Sequence, residues 1–288
     1  MLLDHIAEFF PETPIVLHWI GRLAAPLFVF ALAEGFAYTS SKKKYLLRLY
    51  AGAVLMGAFD IIMQYWQQVR QLTIYQPENH NIFVTLFATA SIFSLCSLYR
   101  KNRKQFYRYM VLYILWQVSI PVIYVRITQL HTLHPVIQLL KREAVWGAVT
   151  GSALMCEGGI IMVLYGLCIY GVTENRKKLS IRYGTFCGLY FLVTITSILP
   201  RIIYRLMWHS YGDGAELLIN LCLICEVDPF GIEPNILTEK YQWMMIGALP
   251  IMLCYNGKKG KGYKWLFYIV YSLQFLLLFI VRMLADCL

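Results

Sequence analysis

The chain has 288 residues, 59% of them hydrophobic and 15% charged, and a mean hydropathy of +0.55; a water-exposed domain usually carries about 25% charged residues, so a soluble surface of this size is excluded. Lipid offers no hydrogen bonds, so only helices or closed barrels can span it, and the long continuous apolar runs here select helices over a barrel. The net charge of +10 would raise nucleic acid as a partner for a soluble protein, but the excess sits in short connections between apolar runs, where it signals topology.

Apolar runs of about twenty residues bounded by charge mark membrane spans. In chain order they fall at about 15–38, 45–66, 81–99, 107–127, 145–172, 182–208, 241–256 and 264–285. Residues 1–10 read as part of another helix, ended by Pro11 and Pro14, and 215–226 as an apolar piece too short to cross. The expected architecture is an all-α polytopic transmembrane bundle of about eight full spans plus an N-terminal partial helix, forming a single integral membrane domain over 1–288.

Basic residues cluster at Lys42–Lys44 with Arg48, at Arg100–Arg108, at Arg176–Arg182 and at Lys258–Lys264. The intervening connections 67–80, 128–143 and 209–240 carry the prolines and acids instead, among them Pro77, Glu78, Pro135, Asp213, Glu226 and Asp228. Counting spans puts every basic cluster on one side, and the positive-inside rule makes that side cytoplasmic. Basic loops also suit a phosphate-bearing ligand or anionic lipid. Cys222 and Cys225 form a lone CxxC with no second pair and no histidine close behind, so these cysteines read as small buried hydrophobes and no metal is expected.

Ionisable groups inside spans are costly and mark function. Asp4 and His5 lie in the first segment, His18, Arg22 and Glu34 in the first full span, Asp60 in the next and Glu157 in the fifth. His18 and Arg22, four apart, share a helix face. Arg22 and Glu34, twelve apart, are separated by about 18 Å along the axis and cannot pair. Asp4 and His5 are adjacent, point about 100° apart and are poor mutual partners. Polar groups at several depths imply a wet cleft. Glu34 and Asp60 also suit interhelix ion pairs, His18 an interfacial position, and Arg201, Arg205 and Arg282 can snorkel to the membrane edge.

Asp4, His5, Gly21, Arg22, Ala24, Pro26, Phe28, Phe30, Glu34, Gly35 and Thr39 form a DH pair, an IGR-x-A-x-P-x-F-x-F block and an EG pair before a basic stretch. In this pattern the chain closely resembles the TraX family of bacterial membrane proteins. The C-terminal block ALPIMLCYNGKKGKGYKWLFYIVYSL is similar to the family's YNGKRG segment and aromatic-rich helix. TraX-like proteins include the factor that acetylates the N-terminus of conjugative pilin. The resemblance therefore implies a multi-pass protein of the bacterial inner membrane that transfers an acyl group, acetyl by analogy with that factor, from cytoplasmic acyl-CoA to an acceptor such as a pilin-like peptide, a sugar or a small amine.

Under that implication His5 is the candidate general base, with Asp4 or another carboxylate as its partner. Arg22 suits a developing oxyanion or an acidic acceptor, and Glu34 would orient Arg48 or line the donor path. Asn256, Gly257, Lys258, Lys259 and Lys261 combine glycine, which lets backbone N–H groups approach phosphate, with cationic side chains, and are the expected acyl-CoA contacts. Acyl-CoA is the expected co-substrate; the bilayer and an acceptor are the expected partners, and no nucleic acid is. Two departures stand out. Relatives carry further residues before the DH pair, so a start upstream of Met1 is expected. Their last helix reads YP-x-H, whereas this chain has Tyr271, Ser272, Leu273 and Gln274. Glutamine cannot serve as a base, which opens a second reading: a catalytically inactive TraX-like protein that binds a lipid or partner protein.

Overall fold

The computed structural model describes residues 1–70, 81–128, 143–209, 214–216, 218–219, 235–258 and 264–286. Among them all regular structure is helical. In order, these are α1 (Leu2–Phe9), α2 (Val16–Gly21), α3 (Ala24–Tyr38), α4 (Lys42–Arg70), α5 (Ile82–Lys101), α6 (Arg103–Thr128), α7 (Glu143–Thr150), α8 (Gly159–Ile169), α9 (Arg176–Thr196) and α10 (Ile198–Trp208). A 3-10 turn at Tyr241–Gly247 then leads into α11 (Ala248–Cys254), and α12 (Lys264–Asp286) closes the described chain.

Among the described residues six stretches are long and apolar enough to cross a bilayer: Val16–Tyr38, Lys42–Gln67, Ile82–Lys101, Arg103–Tyr124, Arg176–Thr196 and Leu266–Ala285. They lie on six of the eight apolar runs. The first bends at Arg22–Leu23, because Pro26 has no N–H to return to the Arg22 carbonyl. Past Thr196, the run 182–208 turns at Ser197, whose φ of 48° ends α9 and starts α10. The run 241–256 is the 3-10 turn followed by the short α11.

The run 145–172 is broken. α7 stops at Thr150 and α8 starts at Gly159, with 151–158 between them non-helical. Gly151, Gly158 and Gly159 have φ of 64°, 75° and 54°, a region glycine enters without the steric penalty of a side chain. Irregular backbone at membrane depth survives only where protein satisfies its polar groups. Here α6 does much of this: Gln117 Oε1 accepts from Ala153 N–H at 2.8 Å and from Ser152 Oγ at 3.1 Å, and Trp116 Nε1 donates to the Thr150 carbonyl at 3.1 Å. From α5, Thr85 Oγ1 donates to the Glu157 carbonyl at 2.5 Å.

α5 is the central helix, packed on α3, α4, α6 and α8, and is the most deeply buried of the six spans. Aromatic contacts gather one end of the bundle. Phe36 of α3 meets Phe93 of α5 at 5.6 Å, Phe93 stacks on Tyr170 at 4.6 Å, and Lys42 sits 4.6 Å over the Phe36 ring. Tyr38 donates to Glu174 at 2.6 Å. The clusters beginning at Lys42, Arg100 and Arg176 therefore share that end.

The fold of the break is testable. A Cβ on Gly147 would lie 1.9 Å from the Met155 carbonyl oxygen, whereas one on Gly184 meets nothing within 4 Å. Gly147→Ala is expected to cost about 1–3 kcal/mol by forcing the 151–158 turn off α7. Gly184→Ala is expected to be neutral or stabilising by up to about 1 kcal/mol. Thermal unfolding of the two purified variants in detergent checks both signs.

Candidate functional site

α1 packs across α2 and also touches α12. The crossing depends on Gly21: a Cβ there would fall 2.2 Å from Asp4 Cβ. With glycine in place, the Asp4 carboxylate reaches the α2 face that carries residues 18 and 22. Asp4 Oδ1 lies 2.8 Å from His18 Nδ1 and 3.2 Å from Arg22 NH2. Arg22 NH1 donates to Gln242 Oε1 at 3.1 Å, and the guanidinium lies 5.2 Å from the centre of the Tyr241 ring. His18 stacks on the same ring at 5.5 Å. Trp19 Nε1 donates to the Leu237 carbonyl at 2.9 Å, which ties α2 to the segment leading into the 3-10 turn.

His5 points the other way, as the 100° step between neighbours requires. Its buried ring packs on Phe275 at 4.3 Å and meets Tyr271 edge-on at 6.4 Å. Its Nδ1 lies 3.2 Å from Nε2 of Gln274. Tyr271 continues the cluster. Its hydroxyl donates to Glu157 Oε2 at 3.1 Å and accepts from Ile82 N–H at 3.3 Å, one of the first-turn N–H groups of α5 that no helical carbonyl can reach. Asp4, His5, Arg22, Glu157, Gln242 and Tyr271 all line one cleft with about 390 Å³ of empty space, part of it open to solvent.

Of the residues expected from sequence, Asp4, His5 and Arg22 thus meet in a single cleft. Asp4 is directed to His18 and Arg22, and the residue at His5 Nδ1 is Gln274. Glu34 is buried on α3 and does not line the cleft; twelve residues of helix put it about 18 Å from Arg22 along the axis. Asn256, Gly257 and Lys258 are exposed beyond α11. Asn256 Oδ1 accepts the Lys258 N–H at 3.0 Å, and Gly257 turns the chain with φ of 69°. The preceding Tyr255 packs on Phe30 at 5.7 Å. Lys259 and Lys261 lie outside the described residues, as do Cys222 and Cys225.

The structure adds five residues to the cluster. His18 was legible through its four-residue spacing from Arg22. Tyr271 and Gln274 lie in the segment where the chain departs from the resemblance. Gln242 and Tyr241 sit in an apolar run read as a span, and nothing in the sequence singles them out.

A family model described as TraX protein matches residues 1–166, a stretch that holds Asp4, His5, Arg22, Glu34 and Glu157 but not α12. The chain is similar to the probable fimbrial assembly protein FimC, serogroup H1, of Dichelobacter nodosus: 25% identical over 229 residues, covering 73% of this chain and 79% of that protein. No solved structure matches.

The Asp4 cluster predicts non-additive mutations. Asp4→Ala removes the carboxylate from Arg22, and Gly21→Ala pushes the same carboxylate away. Asp4→Ala is expected to cost about 1 kcal/mol and Gly21→Ala, which also drives α1 off α2, about 1–3 kcal/mol. The double variant should fall well short of the sum, because both changes break one contact. Thermal unfolding of the three variants checks it.

Proposed function

The chain belongs to the TraX family, and from that premise we propose that it is a membrane-embedded acyltransferase moving an acyl group, acetyl in the simplest case, from acyl-CoA to an acceptor in the Asp4–His5–Arg22 cleft. The observation that carries the reading is the convergence in one cleft of a histidine, a paired arginine and a carboxylate held by a tyrosine. Acyl transfer needs a group to take a proton from the acceptor and a cation or donor to meet the oxyanion.

In this reading His5 is the base. Gln274 sets which ring nitrogen carries the proton. With the amide N–H donating to Nδ1, the neutral ring carries its proton on Nε2 and does not act as a base. With the amide turned by 180°, Oε1 accepts from Nδ1–H and Nε2 becomes the base. Arg22 meets the thioester oxygen as it gains charge. NH1 and NH2 each bond once, to Gln242 and Asp4, and the buried Nε has no hydrogen-bond partner among the described residues, so donors remain for that role. Asp4 and Gln242 hold the guanidinium in place.

Acyl-CoA enters from the end that carries the basic clusters, taken as cytoplasmic in a bacterial inner membrane. Its phosphates lie against Lys258 and the basic connections, and Asn256 and Gly257 shape the turn that presents them. Eight residues of helix separate Arg22 from Phe30, which packs on Tyr255; that is about 12 Å, a gap suited to the long pantetheine arm. Glu34 lines the donor path at that end.

Radiolabelled acetyl-CoA incubated with the purified protein and candidate acceptors tests the reading. Transfer is expected, with a loss of about 10²–10⁴-fold in His5→Ala. Undiminished transfer in His5→Ala would remove the histidine from the mechanism, and no transfer or CoA binding at all would favour the inactive, partner-binding alternative. Gln274→His restores the residue that the family resemblance puts there. It is expected to raise transfer, since a second imidazole beside His5 Nδ1 can hold or pass a proton where an amide cannot.

A further inference from the structure

α4 and α12 run side by side in the same direction. A Cβ on Gly52 would lie 3.3 Å from Tyr268, and the Trp66 and Phe279 rings are 5.4 Å apart. By that register Asp60 is level with Gln274, and Gln64 lies one turn further from the basic end. Asp60, Gln64 and Gln67 are spaced four and three apart, so they form one stripe. They are 1%, 4% and 5% exposed. A polar stripe so deeply buried in an apolar span is costly unless every group has a partner.

Among the described residues Gln64 has none for either end of its carboxamide: Nε2 and Oε1 are both buried and make no hydrogen bond. Gln274, bonded to His5 through its Nε2, leaves its Oε1 equally unsatisfied. What meets Gln64 must therefore both accept from an N–H and donate to an oxygen, and what meets Gln274 must donate to an oxygen. A cation satisfies only the oxygens and an anion only the N–H. A small neutral molecule that both donates and accepts satisfies all three, and water is the one that buried polar groups ordinarily recruit.

We propose that the seam between α4 and α12 holds a file of ordered water molecules, anchored on Gln64 and Gln274 and reaching the His5 ring. The file runs along α4 toward Arg70, away from the basic end. Its consequence for catalysis rests on the acyl-transfer reading: water on Gln274 Oε1 sets which way the amide faces His5, and so whether Nε2 carries the ring proton or accepts one.

Pulsed radiolytic hydroxyl labelling of the full chain in lipid nanodiscs, read by mass spectrometry, tests the file directly, because bound internal water is the local radical source. Met63, next to Gln64 and buried in the same core as Met162 and Met252, is expected to oxidise several-fold faster than either. Gln64→Leu should bring Met63 down to their rate, and Gln64→Asn, which keeps a carboxamide, should preserve its labelling. Met63 labelling at the core rate in the wild type, or labelling unchanged by Gln64→Leu, overturns the proposal. This readout needs no acyl transfer. A protein that labels as expected but transfers nothing keeps the water file and loses only the catalytic reading.

Discussion

Arg22 lies within an apolar span, and a guanidinium cannot escape its charge by losing a proton. It needs a carboxylate, and Asp4 is the one that reaches it. The pair sits at the cleft edge with 31% and 18% of the two side chains exposed, so its direct contribution to stability is modest. Its importance is positional. Asp4 reaches Arg22 only because Gly21 leaves room, and that contact fixes the height and rotation of α1. The rotation in turn sends the neighbouring His5 to α12. One ion pair and one missing side chain thus set the geometry of the histidine.

The opposite wall of the cleft rests on a second constraint, the break between α7 and α8. A continuous helix through 145–172 would bury its backbone polar groups within itself and leave Glu157 on a helix face. The glycines at 151, 158 and 159 instead open the chain, and the exposed peptide groups are taken up by Gln117, Trp116 and Thr85. Glu157 then lies at the end of a turn facing Tyr271. Polar side chains on α5 and α6 that look out of place in spans are those that make the break tolerable, and the break is what presents the carboxylate.

Hydropathy made the long helices legible because a lipid-spanning helix must be apolar throughout and bounded by charge. α4, α5 and α12 follow the apolar runs closely for that reason. The same criterion is blind to continuity: 145–172 and 241–256 are apolar enough to span, and only glycine φ values and side-chain partners make one a broken pair and the other a 3-10 turn with a short helix. In the cleft, Asp4, His5 and Arg22 were legible as charges in costly places. Gln242 and Tyr241 were not, since a polar residue and an aromatic near a membrane edge are ordinary. Glu34 carries the same sequence signal as Arg22, yet helix rise separates the two whatever the packing.

Gln274 joins the two halves of the site. Its amide nitrogen lies against His5, and its buried oxygen has no hydrogen-bond partner among the described residues. A carboxamide holds its orientation only when both ends are engaged. A donor on Oε1 therefore keeps the N–H on Nδ1 and the ring proton on Nε2, whereas loss of that donor frees the amide to turn and moves the ring proton to Nδ1. The protonation pattern of His5 is thus governed from α12, by what occupies the seam behind it. A histidine at position 274 would remove that dependence, because an imidazole can itself carry or release the proton that a glutamine can only point toward.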